Sequence, residues 1–184
     1  MSNEFRNYLA LAALGPDRPG LVAEATAFVS ERGGNVEDSR MAILGAEFGI
    51  LLLVSGAPDA AAAIERDLAA LAAQTGLEFQ VRRTSSPEEH RREAGIPCVV
   101  TAEALDHEGI VQAVAGALHR VGVNIVSLTT EAYQAPITGS PLFRMEARID
   151  VPPGRTVSDV RQSLDEVARK ENLDIEARTL AARA

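Results

Sequence analysis

The chain has 184 residues, a hydrophobic fraction of 46% and a formal net charge of −8. That composition belongs to a folded globule and excludes a disordered chain. The acidic balance argues against direct nucleic-acid binding, which draws most of its affinity from cations that neutralise phosphates. No apolar run reaches the ~18 residues of a membrane span. The single cysteine, Cys98, excludes an internal disulfide, and a cytoplasmic setting is expected.

Taken in chain order, the N-terminal MSNEFRNYLALAAL has no basic start or cleavage-type ending and resembles a first strand better than a signal peptide. Tyr8 to Leu14 is a short apolar run ending in Gly-Pro, as a buried central strand would. Pro19 is placed by its sequence context as a first helical residue, where a missing N–H costs nothing. Leu21, Val22, Ala25, Phe28 and Val29 then fall on one helical face, and Gly33 and Gly34 end the helix.

Asn35–Leu44 and Glu47–Ser55 are two strands around a Gly45-Ala46 hairpin turn. Alternation groups Val36, Asp38 and Arg40 on one face of the first of these. Ile50 to Val54 is apolar on both faces, so a cover is expected over its outer side. Pro58 and Asp59 open a second helix with Ile64, Leu68, Leu71 and Ala72 inward. Gly76 stops it, and Leu77, Phe79 and Val81 form a last strand. Thr84 to Gly95 is polar and carries Ser-Pro, which marks a linker. Its dense cluster His90, Arg91, Arg92 is surrounded by Glu88, Glu89 and Glu93, the pattern of a solvated segment.

The second half repeats the first. Asp17, Gly20, Val22, Gly33 and Asn35 recur without a gap as Asp106, Gly109, Val111, Gly122 and Asn124. The expected division is therefore 1–83, a linker at 84–95, and 96–184. Ile96–Leu105, a helix bearing Ile110, Val111, Val114, Ala117 and Leu118, a hairpin over Asn124–Ala132 and Leu142–Val151, a helix from Val157 and a strand at Leu173–Ala177 follow. Tyr133 to Pro141 is a longer hairpin tip, expected as a loop. Each half reads βαββαβ, so the fold class is α+β: two ferredoxin-like units, each a four-stranded antiparallel sheet with both helices on one face.

Chemistry concentrates on the turn before the first helix. A helix start exposes unpaired N–H groups and partial positive charge that suit a carboxylate. Gly20 leaves those groups uncovered, Asp17 could accept bonds from an ammonium group, and Asn35 could add a donor and an acceptor. Asp and Asn also serve simply to satisfy turn backbone, and both readings stay open here. In the second copy Glu108 replaces Pro19 and His107 replaces Arg18, so a negative charge already sits at that helix start. Cys98 reads as a small buried hydrophobe, and His119, near a helix end, suits the dipole. No metal-ligand spacing, phosphate loop, Ser/His/Asp set or carboxylate pair is evident, and neither enzyme activity nor a cofactor is expected.

The run LGPDRPGLVAEATAFVSERGGNV followed by a strand hairpin resembles an ACT domain, strongly over residues 8–83 and more loosely over 96–180. Two such modules standing alone resemble the glycine cleavage system transcriptional repressor family. The resemblance implies a ligand turn at Gly15, Pro16, Asp17, Arg18, Pro19 and Gly20 with Asn35, Leu21 being a candidate beside it. In the second module Asp106, Gly109 and Asn124 match, while His107, also a candidate, and Glu108 depart from the pattern. It further implies an amino-acid effector such as glycine held between modules, pairing into a homo-oligomer, and action through a regulatory protein partner rather than on DNA. Two other classes fit the same sequence: a regulatory subunit of an acetolactate-synthase-like enzyme, and a small ferredoxin-fold enzyme such as an acylphosphatase. The latter wants an arginine-bearing phosphate loop, and this turn offers only Arg18.

Overall fold

The computed structural model describes residues 6–89 and 95–180. Chain contacts divide it into two units, Met1–His90 and Arg91–Ala184. Of the segment expected as a linker, residues 90–94, including the cluster at His90, Arg91 and Arg92, lie outside the described residues. Residues 84–89 are ordered against the first unit. Ser86 and Glu89 there exchange bonds, each side chain accepting from the other's backbone N–H at 3.1 Å.

The first unit runs β1 (Asn7–Pro16), α1 (Leu21–Glu31), β2 (Asn35–Leu44), β3 (Glu47–Gly56), α2 (Pro58–Thr75) and β4 (Glu78–Thr84). Its strands are antiparallel in the order β2-β3-β1-β4. Alternate residues of the two central strands, Leu9 and Leu11 of β1 with Ile50, Leu52 and Val54 of β3, are buried. They share one core with Leu21, Phe28 and Val29 of α1 and Ile64, Leu68 and Leu71 of α2. Both helices therefore cover the same sheet face. Each fully buried aliphatic side chain of this kind contributes about 1.5–3 kcal/mol, and the ladder of them fixes which face points inward. Arg32, at the end of α1, ties the helices together by bonding Asp67 of α2 at 3.1 Å while stacking over Phe28.

The second unit repeats the plan with β5 (Ile96–Leu105), α3 (Ile110–Arg120), β6 (Asn124–Gln134), β7 (Pro141–Val151), α4 (Val157–Glu171) and β8 (Asp174–Thr179), in the sheet order β6-β7-β5-β8. Its core gathers Val100, Ile110, Val114, Leu118, Met145, Ile149, Val160 and Leu164. Here the helices are tied by the buried Ser163 hydroxyl, which donates to the Ala117 carbonyl at 3.0 Å. The architecture is the α+β ferredoxin-like doublet that the repeat implied.

Three local expectations are corrected. Helix α1 starts at Leu21, with Gly20 as its N-cap at φ 96°, so Pro19 precedes the helix instead of opening it. A left-handed cap at residue 20 turns the chain before helical geometry begins, and only glycine takes that φ without cost. A bulge between Val36 and Asp38 inserts one residue into β2. Val36 consequently faces the core, while Asp38 and Arg40 lie on the outer face opposite Leu53 and Leu51. The same bulge recurs between Ile125 and Ser127. Finally, β6 and β7 extend through Tyr133, Gln134 and Pro141, which shortens the expected loop to a hydrogen-bonded turn over residues 135–140.

Candidate functional site

The turn joining β1 to α1 is pinned at both ends by backbone. The Asp17 N–H donates to the Ala46 carbonyl of the β2–β3 hairpin at 3.0 Å, and the Glu24 N–H closes the first helical bond on Gly20 at 2.9 Å. Between these anchors Asp17, Arg18, Pro19 and Gly20 are all exposed. Leu21 is only 2% exposed, so its side chain belongs to the core and it offers the turn nothing but its N–H. No side chain caps the start of α1. The first N–H groups of a helix have no intrahelical partner, and the helix dipole places partial positive charge there.

Arg18 is committed. Its guanidinium grips Glu24 with two bonds, Nη1–Oε1 at 2.5 Å and Nη2–Oε2 at 2.9 Å, and Nη2 also reaches the Gln74 carbonyl at 3.4 Å. Gln74 donates to the same carboxylate at 3.3 Å. The bond from Arg18 holds the Glu24 carboxyl below the usual carboxylate range and raises the guanidinium in return. An anion at this turn would therefore meet backbone N–H groups and the dipole, with the Arg18 charge already balanced. A Cβ added at Gly20 would lie 3.3 Å from Glu24 Oε1. Sequence reasoning missed Glu24 because its six-residue separation from Arg18 straddles the cap and matches no helical spacing.

The second unit builds the same turn with different chemistry. Asp106 N–H donates to the Pro141 carbonyl at 3.0 Å, and Gly109 caps α3 at φ 93°. Ala113 stands where Glu24 stands in the first unit, so no carboxylate reaches back from that position. His107 instead sets Nδ1 3.0 Å from the Glu108 carbonyl and Nε2 3.2 Å from the Glu171 carbonyl. Those two backbone acceptors raise its pKa above the ordinary imidazole value.

The structure does not bring Asn35 or Asn124 to these turns. Asn35 pairs with Ser55, which lies in the row of Tyr8, whereas Pro16 pairs with Glu47. Eight residues of strand separate the two rows, about 26 Å at ~3.3 Å per residue. Asn35 is engaged locally, donating to Glu37 at 3.0 Å. Asn124, opposite Asp150 and so in the row of Pro97, likewise sits at the start of β5, far from Asp106. The helix between Gly20 and Asn35 carries the chain back to the end from which β1 began. A hollow of about 640 Å³ bounded by Arg6, Tyr8, Arg83, Ser86 and Glu89 lies at that far end as well.

Other candidates are absorbed by structure. Cys98 is buried, and burial pushes its thiol up, away from the thiolate a nucleophile needs. His119 falls in the last turn of α3. Among the described residues no group of three or more His, Cys, Asp or Glu side chains could hold a metal, and no helix is long and apolar enough to cross a membrane.

Comparison with known proteins bears on the fold. Residues 7–82 match the family model of the ACT domain. A solved structure of an unknown protein from Galdieria sulphuraria is 31% identical, with 96% of this chain and 99% of that one covered and a TM-score of 0.77. The first unit is thus an ACT domain, and the second repeats its fold. The chain resembles the glycine cleavage system transcriptional repressors. It is 42% identical to the Escherichia coli (strain K12) repressor over 86 residues, which are 47% of this chain and 45% of that protein. The match to this curated relative thus spans about half its length. A solved protein provisionally named a glycine cleavage system transcriptional repressor shares the fold, with a TM-score of 0.70 at 24% identity over 95% of this chain and 98% of that one.

Proposed function

We propose that this chain is a non-catalytic, amino-acid-sensing regulator in the manner of the glycine cleavage system repressors. In this reading it acts in the cytoplasm through a protein partner rather than by holding DNA, and it works as a homo-oligomer. The observation that carries the reading is the exposed helix start at Gly20, with Asp17 on the same turn and the Arg18 charge neutralised by Glu24. A small zwitterion suits that arrangement: carboxylate on the helix N–H groups, ammonium on Asp17. The Arg18–Glu24 pair disfavours an acyl-phosphate enzyme, which would need that guanidinium free. The net charge of −8 supports a protein partner over direct DNA contact.

Within this proposal the modules are 1–83 and 96–184, joined by 84–95; the chain contacts support two units and group residues 84–89 with the first. The turn at Asp106, His107 and Gly109 is a second seat of different character, because Glu108 already places a carboxylate in its approach. Asn35 and Asn124 act on a ligand only where another module presents them. An effector so held favours one assembly over another by its difference in affinity between them.

Titration calorimetry with glycine tests the reading. Wild-type protein should bind, and Asp17→Ala should abolish the signal while Asp106→Ala leaves the first seat intact. Binding that is unchanged in Asp17→Ala would remove Asp17 from the site. The absence of any signal with glycine or amino acids of similar size would remove the sensor.

A further inference from the structure

We infer that the outer sheet face of the first unit is the surface on which two copies of this chain associate, sheet against sheet, with Asp38 of one copy against Arg82 of the other. This inference is independent of what the Asp17–Leu21 turn binds. The two units share one fold, which makes their outer faces a controlled comparison. In the second unit β7 presents Arg144, Glu146 and Arg148 there, and Glu103 of β5 pairs with Arg144 at 2.7 Å. That face is at home in water. The corresponding strands of the first unit present Leu51 and Leu53 beside Ala10, Ala12 and Leu14, and Leu51 and Leu14 are 58% and 57% exposed. A contiguous apolar strip of this kind on one unit alone marks an interface.

The strand register fixes what surrounds the strip. One row across the sheet reads Asp38, Leu53, Ala10, Arg82, from the β2 edge to the β4 edge. The next reads Arg40, Leu51, Ala12, Gln80, and Glu78 follows on β4 opposite Leu14. A twofold axis along the strands, between β3 and β1, lays the β2 edge of one copy over the β4 edge of the other. Within one copy Asp38 Oδ1 already accepts from Arg40 and from the Ser39 N–H, so Asp38 meets Arg82 twice through its other oxygen, and leucine meets alanine in the middle. Ten-residue strands and four strand widths give about 33 by 19 Å, on the order of 600 Å² of footprint. That is close to the ~800 Å² per partner of a standard interface. Stacked sheets lie ~10 Å apart, a gap that an Asp–Arg pair spans.

Sedimentation velocity of the full chain tests this, with far-UV circular dichroism and unfolding midpoints confirming that each variant folds. Wild type should sediment at twice 19.5 kDa and Leu51→Lys at the single-chain mass. Asp38→Arg and Arg82→Asp should each raise the dimer dissociation constant at least about tenfold, and the double variant should recover most of the loss. If Leu51→Lys does not fold, Leu14→Lys and the charge-swap series decide. A monomeric wild type, whether its face is bare or covered by its own second unit, would overturn the inference. So would a Leu51→Lys protein that keeps the dimer mass, or a double variant no tighter than the singles.

Discussion

Arg18 and His107 hold equivalent positions in the two units, and each reaches a carbonyl in the last turn of its unit's second helix: Gln74 at 3.4 Å and Glu171 at 3.2 Å. A helix C-terminus carries partial negative charge and unsatisfied carbonyls, so a cation is the natural partner there. In each unit this contact docks the turn at the start of one helix onto the end of the other.

The second contact should depend on pH. Both ring nitrogens of His107 face carbonyl oxygens, and only the imidazolium has two N–H groups to give. Its pKa is raised in the folded chain by the Glu108 and Glu171 carbonyls. A raised folded value means the stabilisation is fully present below the unfolded pKa of ~6.5 and is lost as pH rises through the folded value. Urea midpoints of wild type should therefore fall between pH 5.5 and 8.5 by more than those of His107→Gln, and equal slopes would refute the role.

Gly20→Ala and Gly109→Ala separate backbone strain from crowding. Both positions have strongly positive φ, and an alanine held there costs about 1–2 kcal/mol. The added Cβ at Gly109 meets nothing within 4 Å, while that at Gly20 lies 3.3 Å from Glu24 Oε1. Gly20→Ala should thus be the more costly of the two in chemical unfolding, and Gly109→Ala should show the conformational cost alone.

Helix α4 opens with a reciprocal cap: Thr156 accepts from the Asp159 N–H at 3.1 Å, and Asp159 accepts from the Thr156 N–H at 2.8 Å. Thr156→Ala should lower stability by about 1 kcal/mol, read as a shift in denaturant midpoint without a change of slope.

Asn35→Ala distinguishes a seat built by one module from a shared one. With Asn35 about 26 Å of strand away from the Gly20 turn, glycine held wholly within one module should bind Asn35→Ala as tightly as wild type. A large loss of affinity in calorimetry would mean that another module lends its asparagine.

The fold was readable because its signals are periodic. The gapless recurrence of Asp17, Gly20, Gly33 and Asn35, and the alternation along Phe143–Val151, need only counting. Counting fails where a residue is inserted: the bulge after Val36 reverses the face of Asp38 and Arg40, and nothing in the side chains announces it. The site was legible only as a turn. Asp17 and Gly20 are neighbours in chain and space, whereas Asn35 follows in the motif yet sits at the other end of the sheet. Glu24 was invisible as a partner because the left-handed cap at Gly20, not a helical repeat, swings Arg18 toward it.

The duplicated turn has diverged without altering its backbone path, since Gly20 and Gly109 hold nearly the same φ, 96° and 93°. What differs is the fastener. An exposed guanidinium–carboxylate clasp loosens as ions are added, and an imidazole strap loosens as protons are withdrawn. One scaffold, copied once, should therefore answer to ionic strength through its first half and to alkalinity through its second.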